Sequence, residues 1–366
     1  MFLNFDTVEA FAVKRNPSLS FPFLKENGEL LSIALNAGLL VEPRALELYR
    51  DIYNNAFKVV DCYPQYYRFI LGMILDLESC GMDGNQGRKI ADYVKAQKLL
   101  EYDTSDVRRL ETLHLLSTHS DISDDYSKMY KSLIERVDIF IQNPKHFCKF
   151  NKPLFYDLTH IIFFLTDYGR KASPLTQDPI ACLMNMGLLA LLDNDADLLS
   201  EVGLCLDYLK YDIPPYWDDF LTQSMSGIGI SYDGTIASAL NPSVDEYHLY
   251  LVSNAYMATR HNSAFHDSFS SRTPSFFIKE ATVSLLSKLS EQAHIALFQN
   301  GSDNKTLRAF TETLSRSELN HWENSLASHP NGLAVAELFS GFSAPNDARA
   351  YSSDSSRSKP TISSSV

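Results

Sequence analysis

The stretch Asn151-Lys-Pro-Leu-Phe-Tyr-Asp-Leu-Thr-His-Ile-Ile-Phe-Phe-Leu-Thr-Asp-Tyr-Gly-Arg170 sets ionisable side chains among apolar ones at helical spacing. Leu154, Leu158, Ile161, Ile162 and Leu165 fall on one side of such a helix. Asp157, His160, Phe164 and Asp167 fall on the other, bordered by Tyr156 and Phe163. A solvent face would carry Lys, Glu and Gln, whereas this stripe sets carboxylates and an imidazole between aromatic rings, so it reads as the wall of a pocket. The competing reading is a histidine satisfied by a nearby carboxylate inside a tightly packed bundle. A second segment, Ser243-Val-Asp-Glu-Tyr-His-Leu-Tyr-Leu-Val252, repeats the spacing: Asp245 and His248 are again i, i+3, behind a Ser/Glu capping-box pattern.

Two chemistries suit these pairs. A carboxylate and a histidine one turn apart on each of two facing helices can hold a divalent metal, and iron, manganese or zinc would then be bound by His160, His248 and Asp157. Alternatively each histidine is a metal-independent general acid or base oriented by its aspartate, with Asp157, Asp167 and Asp245 in that role. The interval from His160 to His248 is about two helical hairpins long. Both imidazoles are therefore expected on one cavity wall within roughly 10 Å of each other.

Other clusters carry less. Glu111 and His114 share the i, i+3 spacing but sit among charges that suit an outer helix face, and His261 and His266 lie in a polar, loop-like stretch. Asp193, Asp195 and Asp197 lack the glycine and glutamate of a calcium loop and read as caps in a helix–turn–helix connection. Asp124-Asp125 and Asp218-Asp219 lack the third aspartate of a magnesium–diphosphate motif. No Walker loop, G-x-G-x-x-G, G-x-S-x-G or H-E-x-x-H occurs.

The elements that must position these groups are helices. A 3.6-residue period runs over 29–38, 43–60, 64–80, 86–101, 106–117, 123–142, 153–168, 178–192, 195–209, 216–224, 243–259 and 275–298, with short connections. The expected class is all-α, an α/α toroid or solenoid of antiparallel helical hairpins. One small β-ribbon is expected around 228–237, where Asp233-Gly234 suits a two-residue turn. Residues 1–344 read as a single domain and 345–366 as a disordered tail, since the last 16 residues contain eight serines. The formal charge of −13, without a long basic cluster, argues against nucleic acid as a partner. No 18-residue apolar run and no signal-peptide pattern is present, which argues against a membrane and for a cytoplasmic protein. Five scattered cysteines with no CxxC fit reduced thiols.

The segments Asp157-Leu-Thr-His160 through Thr166-Asp167-Tyr-Gly169, and Asp245-Glu-Tyr-His248, resemble an uncharacterised bacterial helical family with an acid-Leu-Thr-His…Thr-Asp-aromatic-Gly motif followed by an acid-x-Tyr-His segment. The resemblance covers residues 153–256. It implies a helical fold and a setting in natural-product metabolism. The layout of helical pairs also resembles α/α toroids such as terpene and lanthionine cyclases, but the acid motif of the first and the Cys/Cys/His pattern of the second are missing. Two functions are therefore expected as alternatives. One is an enzyme acting on a small or medium apolar molecule, or a peptide, in a central cavity. The other is a non-catalytic scaffold binding a protein or peptide on a concave face.

Overall fold

Helix starts are set by small polar residues and prolines. Ser20, Asn151 and Asp195 each accept a hydrogen bond from a backbone N–H three residues on, and Ser315 and Glu318 form a reciprocal capping box. The computed structural model describes residues 2–117, 124–232, 245–280, 283–298 and 305–340. The longer helices are α1 (Phe21–Asn36), α2 (Arg50–Cys62), α3 (Tyr67–Ser79), α4 (Gln86–Ala96), α5 (Asp106–Ser117), α6 (Asp124–Ile141), α7 (Lys152–Thr166), α8 (Ile180–Leu192), α9 (Ala196–Tyr208), α10 (Pro215–Ser226), α11 (Tyr247–His261), α12 (Leu285–Phe298), α13 (Lys305–Thr313), α14 (Arg316–Ala327) and α15 (Gly332–Ser340). The protein is all-α, and no described helix is long and apolar enough to cross a membrane.

The contacts have a simple order. α1 packs on α3, α3 on α5, α5 on α7, α7 on α9, α9 on α11, and α11 returns to α1. Helices α2, α4, α6, α8 and α10 pack on members of this ring: α2 and α4 on α3, α6 on α5, α8 on α9, and α10 on α9 and α11. Two apolar clusters fill the structure. One centres on the N-terminal helices, the other on α8 to α10 and the C-terminal helices. They meet at α7 and α11, which each supply residues to both: Ile161, Leu165 and Tyr250 to the first, Leu158, Ile162 and Val252 to the second.

Some expected elements differ. Residues 275–298 were expected as one helix, but Pro274–Ile278 is a strand (β4) pairing antiparallel with β3 (Ile228–Tyr232), and the helix begins only at Leu285. The ribbon at 228 thus finds its partner more than forty residues on, because the buried Phe276 alternates with neighbours along an extended segment. The expected Asp233-Gly234 turn and the 345–366 tail lie outside the described residues. A second, two-residue parallel pairing joins β1 (Phe2–Leu3) to β2 (Leu40–Val41). All five cysteines are free.

Two outer helices, α8 and α10, meet closely at one point. Trp217 is fully buried and donates from Nε1 to the Ser328 hydroxyl at 2.8 Å, and its ring lies so close to Gly187 that a Cβ there would meet it at 2.2 Å. Gly187→Ala should therefore cost about 1–3 kcal/mol of stability by overpacking. Trp217→Ala should cost about 3–5 kcal/mol by leaving a cavity. Urea midpoints measure both, and an unchanged midpoint for Gly187→Ala would mean that α8 and α10 separate freely.

Candidate functional site

The ring helices enclose a cavity of about 820 Å³, and every residue lining it comes from α1, α3, α5, α7, α9, α11 or the turns at their ends. Gly28 on α1 and Gly72 on α3 keep the space open: a Cβ at Gly28 would meet nothing within 4 Å. Rings of Phe69, Phe163, Phe164, Tyr168 and Tyr208 form much of the wall.

At one end of the cavity, α7, α9 and α11 bring polar groups together. His160 and His248 both line it, and both face the same carboxyl group. Glu201 Oε2 lies 3.8 Å from His160 Nδ1, and Glu201 Oε1 lies 3.7 Å from His248 Nε2. Glu201 is only 2% exposed and accepts a hydrogen bond from the Thr159 hydroxyl at 2.5 Å. Burial pushes its pKa up, against the charges of His160 and His248. His248 donates from Nδ1 to Asp197 at 2.6 Å, and the Tyr156 hydroxyl donates to the other oxygen of Asp197. Burial alone would lower the His248 pKa, but the hydrogen bond and charge of Asp197, with Glu29 and Glu201 behind it, raise it to about 9. For Asp197, burial would raise the pKa, but His248, Tyr156 and Lys152 outweigh it and hold the carboxyl below its ordinary value.

His160 is held differently. Its Nδ1 lies 2.7 Å from the Tyr156 carbonyl oxygen, and because a carbonyl can only accept, Nδ1 must carry the hydrogen. That leaves Nε2 for a ligand, as lone pair in the neutral ring. Glu29, on the neighbouring α1, is raised by burial, with His248 and Lys25 pulling the other way.

The sequence-derived residues divide clearly. Asp157 lines the cavity one turn from His160, with its carboxyl raised by partial burial. Asp167 also lines it but belongs to the opposite end. It closes α7 in a left-handed conformation (φ 49°) and pairs with Lys171 at 3.1 Å, Arg170 at 3.5 Å and His114 at 3.9 Å. Asp245 does not join His248. The helix begins at Tyr247, so Asp245 precedes its first turn, where Arg15 holds it at 2.8 Å and it caps the Phe276 N–H at 3.1 Å. Among the described residues no group of three or more His, Cys, Asp or Glu side chains is arranged to hold a metal ion, and His160, His248 and Asp157 form no such set.

Several lining groups were not legible as such. His114 and Glu111, expected on an outer face, line the cavity: Glu111 pairs with Arg68, and the His114 ring stacks on Phe164 at 5.8 Å. Burial lowers the His114 pKa to about 4 despite Asp167. Of the three aspartates expected as caps, Asp195 is the N-cap of α9 and Asp193 accepts from Ser284, but Asp197 is the partner of His248. Asp197, Glu201 and Tyr208 recur at i, i+4 and i+11 within a leucine-rich segment, a polar stripe on a buried helix that would have identified them. His261 and His266 bond Asp218 and Ser263, away from the cavity lining.

The two perturbed histidines predict opposite pH effects on stability. His248 has a folded pKa above its ordinary 6.5, so its contribution is complete below about 6.5 and is lost as pH rises through about 9. His114 has a folded pKa below 6.5, so stability falls as pH drops from about 6.5 towards 4. In urea unfolding followed from pH 4 to 9, His248→Gln should flatten the alkaline limb and His114→Gln the acid limb. Limbs of wild-type steepness in either variant would place the titration elsewhere.

No curated protein and no solved structure matches this chain. A family model does, over residues 4–344, and its description is a domain of unknown function, DUF6902. With nearly its whole length covered, including every helix around the cavity, the chain belongs to the DUF6902 family.

Proposed function

We propose that this protein is an enzyme that takes a small or medium-sized molecule with an apolar body into the ring-enclosed cavity and carries out proton-transfer chemistry on it between His160 and His248. The observation that supports the reading is the pair of imidazoles held 3.8 and 3.7 Å from the two oxygens of one buried carboxyl, on the wall of an aromatic-lined space of about 820 Å³. His160, its Nδ1–H used by the backbone, offers Nε2 as a base. His248, kept cationic by Asp197, offers Nε2–H as an acid. Glu201 between them lies near enough to both to stabilise either proton state. The closed contact order of α1, α3, α5, α7, α9 and α11, an inner ring with an outer layer, favours the toroid form of the all-α class. The natural-product setting rests on the motif resemblance alone.

Comparing the small molecules of a cell extract before and after incubation with the purified protein tests the proposal. The consumed compound should turn over about 10²- to 10⁴-fold more slowly with His160→Ala or His248→Gln. Gly28→Leu, which places a side chain in open cavity space, should abolish turnover while the protein stays as stable as wild type or more so, because removing a helical glycine is worth about 0.5–1 kcal/mol. An unchanged extract, or full turnover by Gly28→Leu, would remove the cavity from the account.

A further inference from the structure

The end of the cavity away from His248 carries a further carboxyl group. Asp76, on the inner face of α3, lines the cavity, yet among the described residues its side chain makes no hydrogen bond and no ion pair. Its electrostatic neighbours are Arg170, Tyr168 and Cys80. Arg170 is turned to Asp167 at 3.5 Å and to the Leu35 carbonyl at 3.4 Å. Tyr168 is directed to Ser32. Asp76 is half-buried, and the space its unpartnered carboxyl faces is the same space the proposed ligand would occupy.

We infer that Asp76 is a binding residue for a protonated amine at the end of the ligand remote from the histidines. The inference rests on the reading of the cavity as a ligand site. A cationic nitrogen supplies both the charge and the N–H donors that an enclosed carboxylate lacks, and a charge-assisted hydrogen bond in such a site is about twice as strong as a neutral one. The pKa of Asp76, raised by burial to about 8 against the pull of Arg170, fits a group whose counter-charge is supplied from outside the chain. The two ends are separated by about two helical turns, the interval from His160 to Tyr168, or roughly 10 Å. Phe163 and Phe164 lie in that interval and face the cavity, which suits an apolar spacer. The ligand class is thus an elongated primary amine with a hydrocarbon or aromatic middle and its reacting group at the His160–Glu201–His248 end.

Calorimetric titration of the full-length protein with n-octylamine, n-octanol and octanoate tests this. The amine should bind at least tenfold more tightly than the other two, and Asp76→Asn should bring it down to the level of the alcohol while leaving alcohol binding unchanged. A carboxyl ¹³C resonance of Asp76 that moves on addition of octylamine gives the same answer in the wild-type protein, should the variant fold poorly. Octylamine no tighter than octanol would overturn the assignment. So would tighter binding of octanoate, which would point to Arg68 and Arg108. So would loss of amine binding in Glu29→Gln or Glu201→Gln but not in Asp76→Asn. If octanol binds and Gly28→Leu excludes it, while the amine has no advantage, the cavity stands and only the Asp76 assignment falls. If none of the three probes binds, both fall.

Discussion

A carboxyl group sealed among helices must be given hydrogen-bond donors or positive charge, and Glu201 imposes that demand at the junction of α7, α9 and α11. Its answer draws on both neighbours: the Thr159 hydroxyl and the His160 ring from α7, and the His248 ring from α11. Asp197, one turn earlier on α9, holds His248 from the other side and receives the Tyr156 hydroxyl. The polar groups therefore form one connected set across three helices. Removing a single member would leave another buried and unsatisfied, at a cost larger than the net worth of the bond itself.

That set can exist only because the surrounding packing holds the three helices in register. α7 and α11 are apolar on more than one face and supply residues to both hydrophobic clusters, so neither helix can rotate to relieve the polar groups without breaking packing on both sides. Outer helices complete the constraint: α8 and α10 hold α9 from behind, with Trp217 against Gly187 at the contact between them. The small residues point the other way. Gly28 and Gly72 face inwards and give up helix propensity for open volume. Selection for packing alone would have filled those positions.

What the sequence made legible followed from local periodicity. The helical class, and the stripe of Asp157, His160, Phe164 and Asp167 on one face of α7, depend only on residues within one element, and all four line the cavity. The second stripe misled at one position, because the i, i+3 argument assumes that the helix already includes Asp245. Arg15, distant in sequence and stacked among Phe11, Tyr247 and Phe276, captures that carboxylate and leaves the role beside His248 to Asp197. His114 was unreadable for a related reason. Its charged neighbours suit a solvated face, and only the meeting of α5 with α7 turns that face inward. β4 was hidden because a strand that pairs with a segment more than forty residues away leaves no local turn signal.

The same side-chain type is put to opposite uses at the two ends of the cavity. His248 sits among Asp197, Glu201 and Glu29, and three carboxyl groups outweigh the cost of burying its charge. At His114, burial prevails: Asp167 favours the charged ring, but Lys171 and Arg170 stand close enough to cancel much of that help. One end of the cavity therefore carries fixed charges near neutral pH, while the other holds a neutral imidazole and a largely protonated Asp76. An aromatic middle separates them, so neither end can screen the other through protein groups. Under the proposed function, a molecule spanning the space would meet a preorganised, charged end suited to proton transfer, and at the other end an Asp76 that becomes ionic only when the molecule brings a cation to it. Under that proposal such an asymmetry would tie recognition to one end and chemistry to the other, and it requires only the placement of a few carboxyl groups on helices whose relative positions the apolar core already determines.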